Sequence, residues 1–361
     1  MKKSLLSLAR FSAASLTLTA GAIATSHAQS NVQVYGLIDA GVESVTNTSA
    51  TGASQTRVIS GGKNTSRWGF RGSEDLGGGL KAVFNLEGGI LLDTGNLDGV
   101  LFKRQAYVGL ENNYGRLVIG RSFTTTYDFV ILFDPLGYAP NYSWATSTNA
   151  SGPSKYGMTT AFDNLIKYSG STGEFKYGAT IGLGEQPTGA NDGRKYSAAA
   201  SWTHGPFAAM GAYERINGNA VVAATGNRDE TTAYHLAADY KLTDWRFLAG
   251  MRGYKLKAGK AATADIKGDT YWAGVSYYVK PAWTFTGAVY YVDVKNVAAG
   301  QDADPTLYVL RSLYALSKRT DLYGVIGYAK AKNNKLVSLS RDDAGFASTQ
   351  RGVTVGIQHR F

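Results

Sequence analysis

Short segments in which apolar and polar residues alternate recur from one end of the chain to the other. The last eleven residues, RGVTVGIQHRF, place Val353 and Val355 on one side of an extended backbone and Thr354 and Gln358 on the other. Because successive side chains of a β-strand point to opposite faces, this alternation predicts a strand with one apolar and one polar face. The chain is therefore expected to fold into sheets whose two faces meet different surroundings.

Two segments near the start of the chain show the same period of two. In the first, one face is apolar and the other polar: Val32, Val34, Ile38, Ala40 and Val42 against Gln33, Tyr35, Asp39 and Glu43. In the second, GLKAVFNLEG, the two faces are Leu80, Ala82, Phe84 and Leu86 against Lys81, Asn85 and Glu87. One face of each strand suits lipid and the other suits water.

The composition leaves two classes of protein open. A mean hydropathy of −0.18 fits a water-soluble protein, but strands that alternate lipid-facing and water-facing residues average to a similar value. No apolar run after residue 28 is long enough for a membrane-spanning helix. The chain has no cysteine, which excludes disulfides and thiolate metal sites. The periodicity, rather than the hydropathy, favours a membrane barrel.

Two kinds of connection alternate between the predicted strands. Short ones rich in turn-forming residues lie at 75–79, 112–115, 170–173, 204–206, 242–244, 280–282 and 317–320. Longer polar ones lie at 46–56, 186–194, 218–229, 258–266, 296–305 and 333–350. One tight turn and one long loop per pair of strands is typical of an outer-membrane barrel. The count of segments predicts an all-β fold, a closed antiparallel transmembrane β-barrel of sixteen strands.

The two ends of the predicted barrel should meet. An even number of strands lets the first and last pair antiparallel, which removes the unpaired edges that lipid does not tolerate. We therefore expect RGVTVGIQHRF to pair with NVQVYGLIDAGV, residues 31–42. The ring of Phe361 would then lie in an aromatic girdle at the membrane edge.

The first 28 residues have the features of a cleaved signal peptide. Lys2, Lys3 and Arg10 precede a mostly apolar run at 11–24, and SHA at 26–28 puts small residues at the cleavage positions. The run is shorter and more polar than a membrane anchor requires. We expect export and cleavage after Ala28, which leaves residues 29–361 as the barrel domain.

Five separated segments carry a resemblance to a known family. They are VQVYGLIDAGVE, SRWGFRGSEDLGGGLKAVFNLEGG, KRQAYVGLENNYGRLVIGR, YALSKRTDLYGVIGYA and GVTVGIQHRF, in this order along the chain. Together they resemble the general-diffusion porins of Gram-negative bacteria, particularly the betaproteobacterial type. The resemblance covers nearly all of the chain after the signal peptide.

The resemblance implies partners as well as a fold. It implies a homotrimer in the outer membrane, surrounded by membrane lipid and lipopolysaccharide, that passes small hydrophilic solutes and ions. It also implies that the terminal Phe361 is an assembly signal read by the barrel-assembly machinery.

The resemblance further implies that the third long loop folds into the barrel and narrows it. Here the longest segment without a strand period is 122–162, and a loop of this length is usually functional or disordered. A surface loop is the alternative, but the run of apolar residues at 129–133 favours packing against the wall. Asp128 and Asp134 are then candidates for an acidic side of the constriction.

Basic wall residues should face that acidic side. Trp68 and Phe70 have the lipid-facing parity of their strand, so Arg67 and Arg71 are expected to point into the pore. Arg104 lies where the family carries a wall arginine. These three arginines are the candidate basic side of the constriction.

Three departures from the family predict a thinner basic cluster. Phe162 stands where a further arginine is expected after the loop, and Leu37 where many porins carry a lysine. The loop also lacks the PEFG tip of some members. Arg121 shares parity with Leu117 and Ile119, so we expect it at a neighbouring subunit or at the rim.

Other functions find little support in the residues. After the signal peptide the histidines are His204, His235 and His359, and none has the surroundings expected of a general base. GYKLKAGKA, from Gly253, has one residue too many for a phosphate-binding loop and lacks its Ser or Thr. The net charge of +10 is spread over the chain, without a basic helix or aromatic platform for nucleic acid.

We therefore expect a passive, water-filled diffusion channel with a mild preference for anions and no enzymatic activity, cofactor or metal. A substrate-selective barrel for sugars or phosphorylated solutes is one alternative. An adhesin or phage receptor on the cell surface is another.

Overall fold

The structure, a computed structural model, describes residues 31–137, 139–146, 157–279, 282–340, 343 and 345–361. The predicted signal peptide lies outside the described residues and stays a prediction. Within these ranges, no helix is both long enough and apolar enough to cross a membrane. A short α-helix, α1 (Thr125–Val130), is followed by a 3₁₀ helix at Ile131–Phe133.

Strands make up most of the described chain. They are β1 Asn31–Val45, β2 Gln55–Ser60, β3 Arg67–Gly77, β4 Leu80–Gly89, β5 Gln105–Asn112, β6 Gly115–Phe123, β7 Ala161–Thr172, β8 Phe175–Gly182, β9 Lys195–His204, β10 Phe207–Asn217, β11 Glu230–Leu242, β12 Trp245–Lys257, β13 Ile266–Val279, β14 Trp283–Lys295, β15 Thr306–Ala315, β16 Thr320–Lys330 and β17 Thr349–Arg360.

The strands form one closed sheet. From β3 onward each strand pairs antiparallel with the next, and β17 pairs with β1. Both β2 and β3 pair with β1, so they are two parts of one barrel strand, interrupted at 61–66. The barrel therefore has sixteen strands, as predicted.

The connections define two ends of the barrel. At the short-turn end, tight turns join neighbouring strands, as between Asn112 and Gly115 or His204 and Phe207. At the long-loop end, the connections are longer. They include 90–104, which the sequence pattern did not show as a separate connection. Most of the predicted turn at 280–282 lies outside the described residues.

The final strand closes the barrel along its length. Gly352–Arg360 of β17 pair with Leu37–Val45 of β1. Beyond the last paired position, Gly36 and Phe361 exchange two backbone hydrogen bonds of 3.1 Å. The pairing was expected over 31–42, but residues 31–36 extend past the last residue of β17. The chain is thus held to its final residue, whose ring is 47% exposed.

The two faces of the sheet have opposite character. On β1, Val32 and Val34 point outward and are 62% and 58% exposed, whereas Asp39 and Glu43 point inward and are 0% and 1% exposed. This confirms the predicted alternation. An apolar outer wall and a polar interior are the reverse of a soluble protein and are typical of a barrel in lipid.

Outward aromatic rings form two bands. Near the short-turn end, the rings of Trp245 and Tyr277 stack at 4.4 Å, and those of Trp283 and Tyr314 lie at 4.7 Å. Towards the long-loop end, the stacked pairs are Tyr271 with Tyr291 and Tyr308 with Tyr328. Amphipathic rings at two heights are characteristic of a protein that meets both membrane–water interfaces.

Candidate constriction of the channel

The described part of the long third loop lies against the inner wall. Thr124 caps α1 by accepting a hydrogen bond from the Tyr127 backbone N–H at 3.0 Å. Val130 and Tyr142 are completely buried, because they pack against inward-facing residues of the barrel. The apolar residues at 129–133 make such contacts in part, although Leu132 remains 53% exposed.

Hydrogen bonds fix the loop to strands around the barrel. They are Thr126 N to Ser197 Oγ at 2.7 Å, Trp272 Nε1 to Phe133 O at 2.9 Å, Arg246 Nη2 to Leu132 O at 2.9 Å, Arg311 Nη1 to Leu136 O at 2.8 Å, Arg252 Nη1 to Ala145 O at 2.8 Å and the Tyr142–Thr354 hydroxyl pair at 2.6 Å. These partners lie on strands from β9 to β17, so the loop crosses the interior.

Inward-facing glycines make room for the loop. A Cβ atom at Gly274 would lie 2.4 Å from Pro135, and one at Gly327 would lie 2.8 Å from the Tyr142 ring. Such distances are below the limit of real contacts, so larger side chains here would displace the loop. The sequence analysis did not recognise the role of these glycines. The available signal was their position on the inward face of their strands.

Asp134, predicted on the acidic side of the constriction, is buried where the loop meets the wall. It is 3% exposed and accepts hydrogen bonds from the Tyr290 hydroxyl at 2.7 Å and the Ser143 hydroxyl at 2.6 Å. Its carboxylate therefore holds the loop to β14. Asp128, on α1, forms an ion pair with Lys167 of β7.

Two of the predicted arginines are brought together by a carboxylate. Arg104 Nε lies 2.7 Å from Glu87 Oε1, and Arg67 Nε lies 3.8 Å from Glu87 Oε2. The Tyr35 hydroxyl donates to Glu87 Oε2 at 2.8 Å. Glu87 is 4% exposed, and the sequence placed it on the polar face without assigning it to the site. Two guanidinium groups and one carboxylate leave this cluster with a net positive charge.

Arg71 lies apart from this cluster, closer to the short-turn end. Its Nε donates to Gln33 Oε1 at 2.9 Å, and its guanidinium lies 4.7 Å from the centre of the Tyr35 ring. It lies four positions from Arg67 along β3, which is about 13 Å in a strand. The structure therefore does not bring all three predicted arginines together.

The interruption at 61–66 supports the arginine cluster. Arg67 Nη1 donates to Asn64 Oδ1 at 3.1 Å and to Thr65 O at 3.0 Å. Lys63, in the same segment, pairs with Asp321 of β16 at 2.6 Å. Gly61, with a φ of 95°, starts the departure from the strand, and glycine adopts this conformation without strain.

The departures from the family pattern appear in the wall. Phe162 and Leu37 are 1% and 4% exposed, so apolar side chains occupy the two positions where basic residues were expected. Arg121 pairs with Asp163, whose side chain is 60% exposed. Among the described residues, no group of three or more His, Cys, Asp or Glu is arranged to hold a metal ion.

This architecture defines a class of protein. A closed sixteen-stranded barrel with an apolar outer wall, a charged interior and a loop folded across that interior is an outer-membrane channel. The sequence profile of the Gram-negative porins matches residues 12–334, and the chain belongs to this family. It is a protein of the Gram-negative outer membrane.

Individual relatives agree with this assignment. The chain is 33% identical to outer membrane porin protein 32 of Delftia acidovorans and 30% identical to an outer membrane porin protein of Bordetella pertussis, with both chains covered completely in each case. Among solved structures, it is similar to an anion-selective porin from Comamonas acidovorans, with a TM-score of 0.78, 28% identity, and coverage of 92% of this chain and 100% of that one.

Proposed function

We propose that Arg67 and Arg104 form the basic side of the constriction and give this diffusion channel a mild preference for anions. The observation that carries the proposal is the cluster of both guanidinium groups around the single buried carboxylate of Glu87. A net positive charge beside the path lowers the energy of a passing anion and raises that of a cation. The anion selectivity named for the Comamonas porin supports the same sign.

The size of the effect follows from Coulomb's law. A unit charge about 6 Å from an ion is worth roughly 0.7 kcal/mol in bulk-like water and about 3 kcal/mol at an effective dielectric near 20. The first value favours anions by about threefold, and a narrow pore moves the effect towards the second. Glu87 cancels part of the charge, so the preference is mild.

The acidic side of the constriction is Asp128 rather than Asp134 in this proposal. The Asp128 side chain is 39% exposed, although Lys167 neutralises it, whereas Asp134 is a buried residue of the same loop. The loop therefore contributes mainly bulk to the constriction, and the wall contributes the charge.

The test is the reversal potential of single channels in a salt gradient, with Arg67 and Arg104 both replaced by Ser. We expect a shift towards cations that shrinks at 1 M salt, where screening acts over about 3 Å. Arg351→Ser is the matched control, because Arg351 faces outward over the Tyr328 ring. An unchanged potential in the double variant, with conductance intact, would remove these arginines from the selectivity mechanism. Saturable flux of one solute would instead favour a substrate-selective barrel.

A homotrimer is the assembly that we propose, with the wall around β17 and β1 as its interface. Outward tyrosines lie on β7 to β16, where the wall meets head groups. By contrast, β17 and β1 present mainly aliphatic residues outward, including Val355 and Val34 at 59% and 58% exposure, and outward rings begin again at Trp68 and Phe70 of the neighbouring β3. Rings suited to a membrane–water interface are not needed where another subunit covers the wall. The trimer form of a solved Vibrio cholerae relative supports this assembly.

The long loops face the cell exterior in this proposal, and the short turns face the periplasm, as in bacterial barrels generally. Phe361 then lies at the periplasmic edge of the closing seam. Its exposed ring is accessible there to the barrel-assembly machinery, which supports its role as an assembly signal.

A further inference from the structure

A polar pocket of about 320 Å³ lies inside the long-loop end of the barrel, where β1 and β2 meet the connection 331–348. Glu43 and Arg57, which pair across these strands and face the interior, line it. Glu43 lies six positions beyond Leu37, the partner of Arg67 in the sheet, so about 20 Å of strand separates the pocket from the arginine cluster. A solute that enters from the long-loop end therefore meets this pocket before the constriction.

The charges at the pocket do not favour anions. Arg57 Nη2 lies 2.9 Å from Glu43 Oε2, and Arg57 Nε donates to the same oxygen at 3.0 Å. Asp343 Oδ2 lies 3.9 Å from Arg57 Nη2, and the Asp343 side chain is 56% exposed. Two carboxylates beside one guanidinium give a net negative charge, so the pocket differs in chemistry from the arginine cluster.

Most of the polar side chains at the pocket are uncharged. They are Thr48, Gln55, Asn141, Ser338, Ser340 and Gln350. Amide and hydroxyl side chains both donate and accept hydrogen bonds, which is also the hydrogen-bonding character of sugar hydroxyls. Two of the amides are held in position, since Gln350 Oε1 accepts from the Leu339 backbone N–H at 2.8 Å and Asn141 Nδ2 donates to Glu43 Oε1 at 3.2 Å.

The pocket also has an aromatic ring in contact with water. Phe346 lines it from the connection 331–348 and is 45% exposed. The face of an aromatic ring is electron-rich, so the weakly positive C–H groups on one face of a pyranose ring pack well against it. A ring of this kind beside uncharged amides suits a cyclic sugar better than it suits a small ion.

We propose that this pocket binds the pyranose ring of a neutral sugar at the entrance of the channel. Phe346 supplies the stacking face, and the amides of Gln55 and Asn141 bind the hydroxyls. The volume is at the lower end of the range for small-ligand sites, about 300–1,000 Å³, which suits one sugar unit. Because the channel must release what enters it, we expect a weak, millimolar affinity. The anion preference proposed for the arginine cluster is a separate property.

The test is saturation-transfer NMR of methyl β-glucoside with the folded protein in a detergent that has no sugar head group. All ring hydroxyls of this probe are equatorial, so its C–H faces are unobstructed. Phe346→Ala should weaken binding about three- to tenfold, as expected for one aromatic contact, and Phe346→Tyr should keep it. Gln55→Leu has a similar volume without the amide and should weaken binding about threefold or more.

Leu336→Ala is the matched control. Leu336 is an apolar side chain of the same connection, 52% exposed and outside the pocket, so its loss should leave binding unchanged. If Phe346→Ala disturbs the connection, Gln55→Leu on β2 is the informative change, because it leaves that connection unaltered.

Three competitors test the chemistry of the ligand. Mannitol has the hydroxyl groups without a ring, gluconate is an anion, and choline is a cation that also packs on aromatic rings. We expect none of them to displace the glucoside at equal concentration, and displacement by any of them would overturn the proposal. Equal binding of the glucoside by Phe346→Ala, Gln55→Leu and the unaltered protein would also overturn it. The measurement is independent of ion flow, so its failure is distinguishable from a failure of the proposed selectivity.

Discussion

Glu87 controls how much positive charge the arginine cluster presents. Its two oxygens lie 2.7 Å and 3.8 Å from the nearest nitrogens of Arg104 and Arg67, so it both orients the guanidinium groups and cancels one of their charges. A buried carboxylate with three polar partners keeps its position well. In the proposed mechanism, selectivity is therefore set by the charge balance within this one cluster rather than by the number of arginines.

We predict that Glu87→Gln increases the preference for anions. The amide keeps the shape and removes one negative charge, so the reversal potential should shift by the equivalent of about threefold or more in permeability ratio. Repulsion between the two arginines should also lower the unfolding temperature. Glu111→Gln is the control, because Glu111 pairs with Arg116 near the short-turn end. A shift of Glu87→Gln towards cations would contradict this account of the cluster.

Sequence reasoning predicted the direction of these side chains but not their contacts. The parity of Trp68 and Phe70 was enough to point Arg67 inward, because a strand has a strict period of two. The Glu87–Arg104 contact joins β4 to the end of the loop before β5, and periodicity contains no information on such a pair. The hydrogen bond of Asp134 was not predicted for the same reason, since its partner Tyr290 lies 156 positions away.

At the scale of elements, the third loop is fixed by its fit to the wall. Wall hydrogen bonds hold its carbonyl groups, and glycines leave space for Pro135 and Tyr142. The sequence indicated the loop by its length and apolar run, but its path depends on contacts with distant strands. The interruption at 61–66 was not predicted either. Its residues leave the strand alternation to orient Arg67 and to reach Asp321, and the period of two contains no information on these contacts.

We predict that Gly274→Val displaces the loop. A side chain here meets Pro135, so the variant should unfold at a lower temperature, and its single-channel conductance should become more variable or larger. Gly287→Val is the matched control on the neighbouring strand, because Gly287 faces outward and a Cβ there meets only Leu310 at 3.5 Å. Equal behaviour of the two variants in heat stability and conductance would show that the loop does not depend on this contact.

At the scale of the whole molecule, closure of the barrel explains why the strand pattern continues to the last residue. Gly36 and Phe361 complete the seam between β1 and β17, so every strand has two neighbours. The sequence predicted the strand count, the closure and the inward and outward faces, because these follow from local period and connection length. The oligomer and its interface depend on contacts between copies and stay a prediction.

We predict that Phe361→Ala lowers the yield of folded protein in the outer membrane severalfold. The change keeps the backbone hydrogen bonds of the seam and removes only the ring, so a loss reports on the ring as an assembly signal. Phe361→Tyr should keep most of the yield. Heat-modifiable migration on gels measures the folded fraction, and wild-type levels for Phe361→Ala would separate this residue from assembly.

The assembly prediction uses the same gels. Because the barrel has no free edge and the aliphatic wall around β1 and β17 is proposed to be covered by other subunits, unheated extracts should migrate as trimers. Boiling should convert them to monomers. Replacing Val34 and Val355 with Lys should destabilise the trimer while each barrel stays closed. Monomers before heating, from the unaltered protein, would contradict the proposed assembly.

Single-channel recording in a planar bilayer under a salt gradient is the decisive test of a passive channel whose wall arginines favour anions. We expect an open channel with conductance that rises with salt concentration, and a reversal potential on the anion side that approaches zero as salt screens the wall charges. The absence of conductance, or a reversal potential on the cation side at low salt, would contradict it.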